Sequence, residues 1–220
     1  TSNAVPVDFT QPTVETLADN VVGTATGNVT YTITFSEAVN FFSSSSVQIN
    51  NGVVASTTSV GDTGKKYNVV VTPSSDSQGN ITFAVAEGGA KNSVGNSNTA
   101  FTNSAQAFDT KGPAVESIEI KKSGQAVTTV SSKASNEAVD IIINFTEDVN
   151  GFTKDDLSVS NGNLGDFTTT DAKTYSVKYW AGTNLDTNVT LNVSGGSYQD
   201  TVSNAGGAGS KSFAIDTKNP

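Results

Sequence analysis

Apolar positions recur at every second residue in two matched stretches of the chain. Val29, Tyr31, Ile33 and Phe35 alternate with Thr30, Thr32 and Thr34, and Val139, Ile141, Ile143 and Phe145 repeat the alternation later. A period of two puts all the apolar side chains on one face of a strand. Each stretch therefore predicts a central strand with one buried and one wet face. Shorter alternations at 67–72, 81–85, 175–180, 189–193 and 212–215 predict further strands, separated by Asn-Gly, Asp-x-Gly and Gly-Asn turn signals. No stretch carries a 3.6-residue period, and the chain has only five Leu. About seven short strands in each ~100 residues predict an all-β chain of antiparallel Greek-key β-sandwiches.

The matched strands belong to a longer internal repeat. Phe35-Ser-Glu-Ala-Val-Asn-Phe-Phe42 returns as Phe145-Thr-Glu-Asp-Val-Asn-Gly-Phe152, a shift of 145 − 35 = 110 residues. Val47-Gln-Ile-Asn-Asn-Gly52 returns as Leu157-Ser-Val-Ser-Asn-Gly162, and the stretch from Glu87 to Asn96 returns as Ser194 to Asn204. A motif of Asp followed four residues later by Pro punctuates the chain at Asp8, Asp109 and Asp216. It divides the sequence into a lead-in at 1–7, whose Thr-Ser-Asn-Ala reads as a cloning remnant, a first repeat at 8–108 and a second at 109–215. Residues 216–220 then begin the next linker, as expected of a piece of a longer array. The Pro fixes φ and holds its predecessor extended, which predicts short, stiff connections and a defined angle between domains. The second repeat is nine residues longer before its Glu (147 − 109 = 38 against 37 − 8 = 29), and the polar stretch 121–135 reads as a longer loop after the first strand that has drifted without a function.

Composition narrows the chemistry. The chain of 220 residues carries 12 Lys, no Arg and 21 acidic residues, for a net charge of −9, and it has no His, Cys or Met. Zinc and iron–sulfur sites, thiol nucleophiles and Ser-His-Asp triads all need residues it lacks. The charge and the missing Arg argue against nucleic acid. No apolar run approaches the ~20 residues of a membrane-spanning helix, so a soluble monomer is expected. Carboxylates without imidazole or thiolate suit a hard cation such as Ca²⁺. The pair Asp155 and Asp156 invites a glycoside-hydrolase reading, but adjacent residues on a strand face opposite ways and would not flank one bond. The chain is accordingly read as non-enzymatic. Of Tyr179 and Trp180, one must face outward, where an aromatic could contact a sugar.

The series Phe-[Ser/Thr]-Glu-x-Val-x-x-Phe, Asp-Asp-Leu-Ser-Val-Ser-Asn-Gly, Gly-Gly-x-Tyr-x-Asp-x-x-x-Asn and Asp-Thr-Lys-x-Pro resembles the bacterial Ig-like repeats of large biofilm-associated and repeats-in-toxin surface adhesins. The resemblance is stronger in the second repeat. It implies a non-catalytic stalk module of a secreted, cell-surface protein, supporting adhesion or biofilm formation. Its partners would be neighbouring repeats of the same chain, and Ca²⁺ at domain ends and junctions would stiffen it. Carried over by position, the implied ligands are Asp109, Glu147, Asp156, Asp200 and Asp216, with Glu37 and Asp8 in the first repeat. There Ser45, Ser46 and Asn92 replace Asp155, Asp156 and Asp200, so a metal site in the first repeat is doubtful. The alternative is an Ig-like module that binds a glycan or a host protein.

Overall fold

The structure, a computed structural model, describes residues 7–103, 106–131 and 137–218. Residues 1–6, 219–220 and part of the 121–135 insertion lie outside the described residues. The chain divides into two compact units, one ending at Lys111 and one beginning at Gly112.

In the first unit the strands are β1 (Val14–Asp19), β2 (Val29–Phe35), β3 (Val47–Asn50), β4 (Gly52–Val60), β5 (Lys66–Pro73), β6 (Gln78–Val85), β7 (Phe101–Thr102) and β8 (Gln106–Asp109). One sheet runs β1-β2-β5-β4, and in the other β6 pairs with β3, β7 and β8. The alternation in β2 does what its period requires: Val29, Tyr31, Ile33 and Phe35 are buried and the three Thr between them are half-buried. With Val69 and Val71 of the adjacent β5 they face Ile81, Phe83 and Val85 of β6 in one core. Each such side chain contributes about 1.5–3 kcal/mol when fully buried. Phe35, Phe42 and Tyr67 cluster at one end, with the Tyr67 hydroxyl donating to Val39 O at 2.9 Å.

The second unit is built the same way from β9 (Val115–Lys122), β10 (Gln125–Ala126), β11 (Thr129–Ser131), β12 (Val139–Phe145), β13 (Leu157–Val159), β14 (Asn163–Thr169), β15 (Thr174–Trp180), β16 (Asp186–Val193) and β17 (Gly209–Asp216). Its sheets run β10-β9-β12-β15-β14 and β11-β17-β16-β13. Burial in β12 repeats that of β2 residue for residue. Among the described residues there is no α-helix; the only helical pieces are 3₁₀ turns at Ser44–Ser46 and Lys154–Asp156.

Two expectations change. The insertion is not a plain loop, because β10 folds back on β9 around a Ser123-Gly124 turn and β11 then pairs with β17 in parallel. Among the described residues of the first unit there is a single parallel bridge there, Ala25 with Phe108, so the added residues extend a contact already present in the shorter repeat. Asp155 and Asp156 lie on the second 3₁₀ turn, where burial separates them: Asp156 is buried and Asp155 exposed.

Candidate metal centre

Each unit carries one five-residue loop of the form Asn/Asp-x-Val-x-Asn just before its final strands, Asn92–Asn96 in the first and Asp200–Asn204 in the second. The loops close identically. The amide of the first residue donates to the carbonyl of the last, at 3.0 Å in the first unit and 3.1 Å in the second. The side-chain Oδ1 of the first residue accepts the amides two and four positions on. For Asp200 these come from Val202 and Asn204, both at 2.8 Å, and for Asn92 from Val94 at 3.2 Å and Asn96 at 2.9 Å. Short polar side chains that satisfy backbone N–H groups in this way set a loop's shape. Both residues are buried, Asp200 at 2% and Asn92 at 4% exposure.

The second side-chain atom distinguishes the units. In the first it is the Asn92 Nδ2, which donates to Glu37 Oε2 at 3.1 Å, to Thr10 O at 3.2 Å and to Asp8 Oδ2 at 3.4 Å. Asn96 Nδ2 adds bonds to the carbonyls of Asp8 and Thr10, at 2.8 and 3.0 Å, and holds that segment against the loop. In the second unit the corresponding atom is a carboxylate oxygen, Asp200 Oδ2, which accepts Asn204 Nδ2 at 2.8 Å. A carboxylate oxygen of Asp200 and one of Glu147 lie within 4.8 Å of each other. Two oxygens no farther apart than about twice a 2.3–2.6 Å bond can share one Ca²⁺. Every hydrogen bond that Asp200 accepts comes from a neutral N–H group. A buried anion held without a cation is costly, and the pair could supply two of the six to eight oxygens that a Ca²⁺ takes.

The remaining candidates make local hydrogen bonds of their own. Asp8, Asp109 and Asp216 make the same turn, each Oδ1 accepting the amide two residues on: Thr10 at 2.8 Å, Lys111 at 2.9 Å and Lys218 at 3.3 Å. The Thr10 amide, followed by its hydroxyl, holds the Asp8 carboxyl below its ordinary value. Thr110 and Thr217, next in the motif, bind back to the loop that crosses between the two sheets of their unit, β5 to β6 in the first and β15 to β16 in the second. Thr110 Oγ1 donates to Ser74 O and Thr217 Oγ1 to Gly182 O, so the first linker residues belong structurally to the domain they leave. Asp216 closes β17, about 23 Å along the strand from its start at Gly209 and directly opposite Asp186. Asp156 caps its 3₁₀ turn, Oδ2 accepting the Thr153 amide at 2.7 Å and hydroxyl at 3.3 Å, the job Ser46 does for Ser43 in the first unit. Tyr179 is the inward aromatic, fully buried, and Trp180 faces out across the sheet. Sequence reasoning missed the loop-closing Asn96 and Asn204, although their shared spacing from Asn92 and Asp200 was visible in the repeat.

The profile of the bacterial Ig-like domain matches residues 8–108 and 121–217. The chain belongs to that family. Both sandwiches are bacterial Ig-like domains, in tandem. No curated protein sequence matches the chain significantly. Solved structures similar to it include the N-terminal part of the bacterial S-layer protein SbsC, at 16% identity over 94% of this chain and 44% of that one, with a TM-score of 0.33. The D0–D1 region of intimin is 15% identical over 90% and 97%, TM-score 0.29. An I-band fragment of titin is 11% identical over 95% and 66%, TM-score 0.37. The chain spans less than half of the S-layer fragment. At these scores the likenesses add nothing to the family assignment.

Proposed function

We propose that this pair of bacterial Ig-like domains is a non-catalytic stalk module of a bacterial cell-surface adhesin, stiffened at its domain ends by Ca²⁺ and supporting adhesion or biofilm formation. The observation that carries the calcium part is Asp200, a buried carboxylate whose own partners are all neutral and whose oxygen converges with one of Glu147. A bound divalent cation supplies charge neutralisation and a crosslink between the strand-end Glu and the loop. At a Kd of roughly 10⁻⁴ M, typical of extracellular modules, millimolar Ca²⁺ stabilises the fold by about 1.4 kcal/mol.

Melting of the 220-residue chain in EDTA and in millimolar Ca²⁺ tests the cation. A rise in Tm with Ca²⁺ that is lost in Glu147→Gln supports it, and equal Tm values in both buffers overturn it. The stalk reading is tested separately by surface display of the full-length parent: deleting the two domains should shorten its reach without abolishing attachment. Loss of attachment at unchanged reach would favour a binding module.

A further inference from the structure

The two repeats handle the same corner differently, and the contrast rests on the cation reading just given. In the first unit one amide nitrogen, Asn92 Nδ2, has the Asp8 and Glu37 carboxylates and the Thr10 carbonyl around it, all within 3.4 Å. In the second unit an anionic oxygen fills the equivalent place, near another carboxylate. An amide NH₂ only donates, so it satisfies acceptors as a cation does, yet it cannot ligate one. Nor can Asn92 turn over to offer its oxygen. That oxygen accepts the amides of Val94 and Asn96, and a flip would face the NH₂ against two N–H donors in a buried loop. Asn96 fixes the chain segment that carries Asp8 and Thr10, so the acceptors are held in place as well.

We propose that Asn92 takes in the first repeat the place a cation takes in the second, so that neighbouring domains of one chain differ in cation requirement. The first domain is closed by its own side chain and keeps its shape without Ca²⁺. In the second the loop is closed by Asp200 Oδ1, and a bound ion holds Oδ2 as well. A single position of the repeat, Asn or Asp, sets which behaviour a domain has.

The test uses the whole 220-residue chain as wild type, Asn92→Asp and Asp200→Asn, titrated calorimetrically with CaCl₂, with hydrogen exchange at the loop amides in EDTA and in Ca²⁺. In wild type, Ca²⁺ at about ten times its Kd should slow exchange roughly tenfold at Val202 and Asn204 and leave Val94 and Asn96 unchanged. Asn92→Asp should gain an additional equivalent of bound Ca²⁺ and make Val94 and Asn96 calcium-dependent. Asp200→Asn should lose binding and protect Val202 and Asn204 equally in both buffers. Calcium-dependent protection of Val94 and Asn96 in wild type overturns the proposal, as does an Asn92→Asp chain that folds and gains no ion. If Asn92→Asp folds in neither buffer, Asp200→Asn decides: Val202 and Asn204 left as exposed in EDTA as in wild type overturn the amide's role. A wild-type chain indifferent to Ca²⁺ at Val202 and Asn204 instead removes the cation reading of the second domain, a failure read at different amides.

Discussion

Trp180 lies over Gly165, so close that a β-carbon at residue 165 would enter the six-membered ring of the indole. The pair sits on the outer face of the sheet, where β14 is an edge strand whose register against β15 shifts between Leu164 and Phe167. A strand glycine leaves backbone bare, and an aromatic laid across it restores the lost packing. Gly165→Ala should therefore displace the indole and destabilise the second domain by about 1–3 kcal/mol. Trp180 is the sole Trp, so its fluorescence reports the displacement directly as a red shift. Unchanged emission together with an unchanged urea midpoint would refute the contact.

Phe41 and Gly151 hold the same position in the two repeats, both with positive φ, 64° and 81°. Left-handed backbone costs an L-residue roughly 1–2 kcal/mol and glycine far less. Phe41 is also 86% exposed, so little packing offsets the strain. Even after glycine's greater freedom in the unfolded chain, Phe41→Gly should stabilise the first domain by up to about 1 kcal/mol. The check is a higher urea midpoint for its transition. A lower midpoint would mean that Phe41 contributes packing which its exposure hides.

How much of this was legible beforehand varies with the range of the interaction. The faces of β2 and β12 could be read from period two alone, because alternation is a local property of the backbone. The repeat located Asp200 and Glu147, but not the contrast with Asn92, which was read as a lost ligand. Its compensating bonds run to Asp8 and Glu37, 84 and 55 residues away, and separations of that size leave no local pattern. The parallel pairing of β11 with β17 was hidden for the same reason: Thr129–Ser131 is short, and its partner lies 85 residues on (214 − 129 = 85). The cap made by Asp156 was not legible, because an acidic residue before a strand has the same appearance whether it binds an ion or caps a turn.

All five Tyr are held above the ordinary phenol value, chiefly by burial, and Tyr31, Tyr179 and Tyr198 are pushed up to about 12. Asp19 beside Tyr31 and Asp156 near Tyr198 add to the effect by charge. In the unfolded chain these phenols ionise near 10. Below pH 10 both states keep the protons and stability does not depend on them. Between about pH 10 and 12 the unfolded state releases protons that the folded state retains, so stability falls as pH rises through that window. Absorbance at 295 nm should show little ionisation near pH 10 and then a steep rise coincident with loss of β-sheet circular dichroism. A smooth titration centred on 10 in the folded protein would contradict the burial of these rings.

Asp156 and Ser46 cap equivalent 3₁₀ turns, each accepting the amide three residues before it. If the cap is the whole role of Asp156, its charge is dispensable and its acceptor oxygen is not. Asp156→Ser installs the first repeat's own solution and should change stability by less than about 0.5 kcal/mol, whereas Asp156→Ala leaves the Thr153 amide without its acceptor and should cost about 1 kcal/mol. Calcium separates this role from ligation. A cation held by Glu147 and Asp200 should bind Asp156→Ser with the wild-type Kd, measured calorimetrically on the folded chain. A tenfold weaker Kd in Asp156→Ser would instead make Asp156 part of the metal centre, with the turn it caps serving to aim its carboxylate.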